Sequence, residues 1–204
     1  MGLRPSFAAG AALFLMALCA QEAAAQVPCE LHFWATADAM AASNIFLNPA
    51  LQRGVTSGDV VLDALPAQAQ ADVLERLDLA GLLGMPGVRL IRETSAVSDG
   101  DAAHRRTRLT ASAAPCYAEL DVKRIGYRAD PMFGRAMAGV FIFRRFPAGG
   151  GPAEIIQGHG DVRLHIFPAR DPSQLDAARE EMVAAFGTSF SIFAREKLNR
   201  PARP

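Results

Sequence analysis

Two histidines and an aspartate near the end of the chain are the residues best suited to acid–base or metal chemistry. His159, Asp161 and His165 occupy alternate positions of one strand-like segment, so their side chains share a face. His159 and His165 lie six residues apart, about 20 Å along an extended strand, and one metal ion cannot bridge that distance. A small metal-dependent or histidine-dependent hydrolase is one hypothesis for these residues. The other is that they are polar side chains on the solvent-facing side of a half-buried sheet.

Local motifs of the common enzyme classes are absent from the sequence. It contains no G-x-S-x-G, S-x-x-K or H-E-x-x-H, and its glycines at 149–151 precede a strand and not a phosphate-binding helix. Cys29 and His32 have a spacing seen in metal ligands, yet on a strand they point to opposite faces. We predict no cofactor and no metal, and we expect a protein that is not an enzyme.

The first 25 residues have the order of a secretory signal peptide. Arg4 supplies a positive charge, residues 7–20 are apolar, and the small residues up to Ala25 form a cleavage site. The apolar run is shorter than the roughly 20 residues of a membrane-spanning helix, and the leucine before Cys19 does not fit a lipidation site. We predict a periplasmic or secreted protein, cut after Ala25, without a lipid anchor or a transmembrane segment.

Removal of this signal would leave two cysteines, Cys29 and Cys116. Each follows a proline, which favours extended backbone before it. An even pair in an exported chain that lacks C-x-x-C is typical of a structural disulfide, and a redox or metal pair is the alternative. We predict a Cys29–Cys116 disulfide.

Charge and length limit the possible partners and the number of domains. The chain of 204 residues carries 21 basic and 21 acidic side chains, and a neutral protein has no overall field that attracts nucleic acid. Residues 26–198 have the length of one domain. Residues 199–204, rich in arginine and proline, are predicted to be a disordered tail.

Aromatic side chains are the first candidates for a partner-binding surface. Trp34 and Tyr117 take the outward positions of two alternating strand patterns, and Phe133 follows in a turn. Together they would form a patch for another protein. A covering helix would instead make Trp34 and Tyr117 part of the core.

A basic cluster supplies the second candidate surface. Arg105 and Arg106 belong to residues 94–114, which are rich in small and polar residues and predict a mobile loop. The cluster would grip a phosphate or polyanion, or it would be a solvated face, since it lacks the interleaved aromatics that stack on bases.

The pattern of the whole chain predicts an α+β fold: a mixed or antiparallel sheet with two main helices on one face. Period-two alternation predicts strands, with a bulge at 123–124, and three- to four-residue spacing predicts helices. The predicted strands are 29–36, 88–93, 116–127, 139–146 and 154–167. The predicted helices are 65–83, starting near Pro66 and ending at Gly84, and one that follows Pro172 and carries an apolar stripe to Phe193. Residues 38–47 favour a helical turn or two, and 60–62 a loop or short strand.

The second half of the chain resembles small exported envelope proteins, the group related to the TolB amino-terminal domain, LpoB and CsgG. The resemblance lies in the strand from Cys116 to Tyr127, those at 140–146 and 160–167, and the closing helix. It implies a non-enzymatic adaptor that binds other envelope proteins. The hydrolase and a carrier of small apolar ligands are the alternatives.

Overall fold

The computed structural model of the protein describes residues 28–43, 58–85, 87–95, 97–130, 132, 134–148 and 150–198. The predicted signal peptide, Phe133 and the predicted tail lie outside these residues.

A mixed sheet forms the centre of the described part of the chain, in the order β3–β1–β4–β5–β6, with β2 also pairing with β4. β1 lies between β3 and β4 and is parallel to both, whereas β4, β5 and β6 form an antiparallel meander. The predicted α+β class is confirmed. The strands are β1 (Glu30–Trp34), β2 (Ala39–Ser43), β3 (Arg89–Arg92), β4 (Tyr117–Asp130), β5 (Gly134–Arg145) and β6 (Glu154–Leu164).

Helices α1, α2, α3 and α5 share one hydrophobic core with one face of the sheet, while the short α4 belongs to a segment over the opposite face. α5 brings three phenylalanines onto Phe141 of β5, with ring centroids 5.2 to 5.9 Å apart. The helices are α1 (Gly58–Ala64), α2 (Ala67–Arg76), α3 (Leu79–Leu83), α4 (Asp99–His104) and α5 (Leu175–Phe193).

The contact between α5 and the sheet depends on glycines beneath the helix. A Cβ on Gly160 would lie 2.1 Å from the backbone oxygen of Ser189, and one on Gly139 would lie 2.7 Å from the Ser189 hydroxyl. Without these Cβ atoms, Ser189 donates to the Gly160 carbonyl at 2.7 Å and accepts from the Gly139 amide at 3.1 Å.

The prediction of a single helix over 65–83 is wrong, because the helix is interrupted between Arg76 and Leu79. The carboxylate of Asp78 accepts a hydrogen bond from the Gly81 amide at 2.9 Å and so caps a new helix, α3. Pro66 precedes α2 instead of lying in its first turn. Gly84 ends α3 in the left-handed conformation, as predicted.

Two short segments also differ from the prediction. Residues 60–62 lie in α1, and residues 39–43 form β2 instead of a helical turn. β4 continues past the end of β1 and offers its edge to β2, so pairing decides the structure where local preference is ambiguous.

The break between β1 and β2 is stabilised by a buried side-chain amide, that of Gln70. Gln70 of α2 accepts from the Thr36 amide at 3.1 Å and donates to the carbonyls of Thr36 and Leu65 at 3.0 and 3.2 Å. Its side chain thus satisfies backbone groups that the sheet leaves unpaired at this joint.

The predicted disulfide is confirmed. Cys29 and Cys116 are bonded, with their Cα atoms 4.6 Å apart, and they join the beginnings of the parallel strands β1 and β4. The predicted bulge is also present, as a shift in the β4–β5 register between Val122 and Arg124. None of the helices in the described ranges has the length and apolar character needed to cross a membrane.

Candidate functional site

The predicted histidine face lies on the surface along β6. His159 is largely exposed, and its Nε2 lies 3.5 Å from Asp161, which also pairs with Arg128 at 3.1 Å. His165 is exposed just past β6, and its amide donates to Glu181. Among the residues that the structure describes, no three His, Cys, Asp or Glu side chains are grouped so as to hold a metal. The three predicted residues therefore do not converge on one catalytic or metal site, as the hydrolase hypothesis requires.

Trp34 and Tyr117 are buried, which corrects the prediction that they form an exposed patch. Their exposed fractions are 4% and 2%. Tyr117 is covered by a polar segment and not by a helix: its hydroxyl lies 2.7 Å from that of Thr110, and the Arg108 guanidinium lies over its ring at 4.3 Å. Neither aromatic side chain forms part of an exposed patch for a protein partner in this conformation.

The covering segment, residues 105–114, is the second half of residues 94–114, which were predicted to be a mobile loop. Residues 99–104 of that range form α4 instead. The covering segment is held by a buried ion pair. Arg144 of β5 donates to Glu119 of β4 and to the carbonyls of Arg105 and Thr107. Glu119 also accepts from the Leu109 amide at 2.6 Å and from the Tyr117 hydroxyl at 2.5 Å. Both carboxylate oxygens of Glu119 are therefore occupied by protein groups, so this pair holds the segment in place.

Burial shifts the pKa values of side chains between the sheet and the covering segment. It lowers the pKa of Arg144 from its ordinary value, and the adjacent Glu119 opposes the effect. Burial also raises the pKa of Tyr117, whose hydroxyl donates to Glu119. The sequence contained one signal of this buried ion pair: the arginine at position 144, directly after the apolar run 139–143.

A second buried cluster surrounds His32 on the same face of the sheet. Its Nδ1 lies 2.6 Å from Glu93 and its Nε2 lies 3.2 Å from Glu30. Glu30 also accepts from Ser112 of the covering segment at 2.6 Å and from Arg89 at 2.8 Å. Those hydrogen bonds, with Ser112 first, lower the pKa of Glu30.

Arg105 and Arg106 lie on the exposed side of the covering segment. Arg105 donates to the Thr107 hydroxyl at 3.0 Å, and Arg106 donates to the Ala153 carbonyl at 2.7 Å. Both guanidinium groups thus have protein partners, although neither has a carboxylate partner in the described structure. Their role in binding stays a prediction.

A groove lies between α2 and α5. Its volume is about 660 Å³, within the size range of sites that accept small molecules or anchoring side chains. α5 approaches α2 closely at Gly187, where an added Cβ would lie 3.0 Å from Val73. The apolar lining consists of Val73, Leu77, Val183, Ala184 and Ile192.

Basic side chains line the same groove. Arg76, Arg179 and Arg195 are exposed there, against a single acidic residue, Glu180. Arg179 lies 3.7 Å from Asp176, whereas Arg76 and Arg195 form no ion pair within the described ranges. An apolar floor with unpaired positive charge complements an acidic segment that carries apolar anchors.

The sequence patterns did not indicate this groove. The apolar stripe of α5 was predicted to pack on the sheet, and Met182, Phe186, Phe190 and Phe193 do pack there. Val183 and Ile192 lie beside that stripe and are partly buried and apolar. An apolar surface wider than one stripe, next to three arginines, was the available signal.

Comparison with known proteins gives no family for this chain. No family model matches, and no curated protein matches. Among solved structures, the chain is similar to the hypothetical protein CT253 from Chlamydia trachomatis, with 12% identity and a TM-score of 0.35 over 83% of this chain and 92% of that one.

Proposed function

We propose that this protein is an exported, non-enzymatic adaptor of the bacterial cell envelope, and that it captures an acidic segment of a partner protein in the groove between α2 and α5. The observation that carries the proposal is the apolar groove lined by three arginines. Helix and peptide recognition commonly uses such grooves, where apolar anchors give affinity and charge gives orientation.

Three further features support export. The disulfide between Cys29 and Cys116 is typical of an oxidising compartment. The first 25 residues read as a cleavable signal, and the element order of the second half resembles envelope proteins of the TolB amino-terminal, LpoB and CsgG group. On these features together we propose a periplasmic location.

Site-specific photocrosslinking in cells tests the groove. A photoreactive residue at Thr188, which is exposed in the groove, should trap a partner through an acidic segment that mass spectrometry can locate. The same probe at Arg105 tests the predicted basic surface, and a probe at the exposed His159 serves as the control. A partner trapped at Arg105 but not at Thr188 would move the binding surface to the covering segment.

Charge reversal makes the test specific. Arg76→Glu combined with Arg195→Glu should weaken capture by about a hundredfold, because two favourable charge contacts become repulsive. Arg170→Glu, on an exposed arginine outside the groove, should leave capture unchanged. Equal capture by both variants would refute an acidic ligand in the groove.

A further inference from the structure

A second cavity opens where the parallel strands β1 and β3 end. Its volume is about 530 Å³. The carboxyl ends of parallel strands are a common place for ligands, because loops diverge there and leave a crevice. This crevice lies between the joint of β1 with β2, the start of the segment that follows β3, and the middle of β4. Its lining includes Trp34, Asp38, Glu93, Asp99, Asp121 and Lys123.

Trp34 and Asp121 are side-by-side partners in the parallel pairing of β1 with β4, so their side chains lie on the same face. Trp34 is 4% exposed, and its indole N–H is buried without an acceptor among the described residues. A buried donor that lacks an acceptor is costly and needs an explanation. A ligand oxygen in the crevice would supply that acceptor.

Asp121 is the carboxylate of the crevice that has no partner. Asp38 pairs with Arg124, Glu93 with His32, and Asp99 with Lys123. Within the described ranges, the side chain of Asp121 forms no hydrogen bond or ion pair. Burial, followed by the nearby Asp99, raises the pKa of Asp121 to about 6, so its carboxylate is largely ionised at neutral pH.

The charges of the crevice favour a cation. Four carboxylates line it, and they still outnumber the cations when Lys123 and Arg124, the partner of Asp38, are both counted, so an anionic ligand would meet net repulsion there. The described residues do not supply the three-residue cluster of His, Cys, Asp or Glu that a metal centre would use.

We propose that this crevice binds a small organic amine, whose ammonium group pairs with Asp121 and whose neighbouring oxygen accepts the indole N–H of Trp34. Ethanolamine and glycinamide have this arrangement in its simplest form. The site is separate from the groove between α2 and α5, so the experiments below test it independently of the proposed adaptor role.

Trp34 is the one tryptophan of the sequence, so its indole N–H gives a single reporter resonance. Titration with glycinamide or ethanolamine at neutral pH should shift that resonance saturably. Acetamide, which has the oxygen and lacks the ammonium group, should bind at least about tenfold more weakly. Absence of a saturable shift with either amine would overturn the proposal.

Variants locate the binding. Asp121→Asn should weaken amine binding by about tenfold or more, whereas Asp63→Asn, on an exposed aspartate outside the crevice, should not change it. Trp34→Phe, followed by calorimetry, should also weaken binding while the fold, checked by circular dichroism, is kept. An amine affinity that is unchanged in Asp121→Asn would place the ligand elsewhere and refute the site.

Discussion

At the scale of single residues, Asp121 should make the protein less stable as the pH rises. Its pKa in the folded protein is about 6, above the ordinary value of 3.8, because burial and Asp99 disfavour the carboxylate. The folded state therefore binds more protons than the unfolded state between these two values. The stabilisation is complete below about pH 4 and is lost as the pH rises through about 6.

Asp121→Asn should remove this dependence. The free energy of unfolding of the wild type, relative to the variant, should fall by about 2–3 kcal/mol between pH 4 and pH 7. Denaturant unfolding at both pH values measures it. Glu30 and Glu181 have lowered pKa values and act in the opposite direction at lower pH, so the difference between the two proteins is the informative quantity. A constant difference across this range would contradict the assignment.

The Glu119–Arg144 pair gives a second prediction at this scale. Both side chains are almost fully buried, so Arg144→Met should leave an unpaired buried carboxylate and lower the free energy of unfolding by about 3–5 kcal/mol. Changing Glu119 to Gln as well should recover part of the loss, which a double-mutant cycle can measure. Arg170→Met, at an exposed position, is the control and should have little effect.

Strand alternation showed which side of the sheet each of these residues faces, but not what covers that side. Glu30, His32 and Glu119 lie on the side that the same alternation predicted for Trp34 and Tyr117. Their burial comes from residues 105–114, whose hydrogen bonds to Arg144 join positions far apart in the sequence. Local composition therefore suggested a mobile loop where long-range polar contacts hold the chain.

At the scale of elements, the fit of α5 on the sheet should depend on Gly160. A Cβ there would overlap the backbone of Ser189, which cannot move without shifting the helix. Gly160→Ala should therefore destabilise the protein by about 2–3 kcal/mol. Gly126→Ala is the matched control, because its Cβ would lie 3.7 Å from the nearest atom, and it should change stability by less than about 1 kcal/mol. Equal effects in thermal or denaturant unfolding would contradict the close approach.

The sequence predicted the long strands and the closing helix well, because their periodic patterns extend over many residues. The predicted strand 139–146 corresponds to β5, which lies between β4 and β6. The predictions were wrong for short elements. β2 and α1 each span few residues, and the helical pattern over 65–83 did not show that Asp78 would begin a new helix. The Asp78 cap determines where α3 begins, and pairing with β4 determines that residues 39–43 form a strand.

At the scale of the whole molecule, the disulfide should be a main source of stability. It closes a separation of 87 residues, for which the loss of chain entropy in the unfolded state amounts to about 4–5 kcal/mol. Replacing Cys29 and Cys116 by alanine should lower the free energy of unfolding by up to that amount. A loss below about 1 kcal/mol in denaturant unfolding would mean that the unfolded chain is already restricted.

The overall class and the disulfide could be predicted from the sequence, whereas the candidate groove could not. The groove exists because α2 and α5 meet at Gly187, a contact between residues far apart in the chain. Patterns within one element indicate which face is buried, but they do not indicate which two elements leave a space between them.

The position of β1 has a consequence for how the chain matures. Both neighbours of β1 follow it in the sequence, and β4 begins at Tyr117. At a synthesis rate of roughly 5–20 residues per second, Cys29 waits several seconds before Cys116 has even been made. The meander of β4, β5 and β6 needs no such wait, because its strands are adjacent in sequence. Among the described strands, the earliest in the chain can therefore pair with both of its neighbours only after β4 has been made.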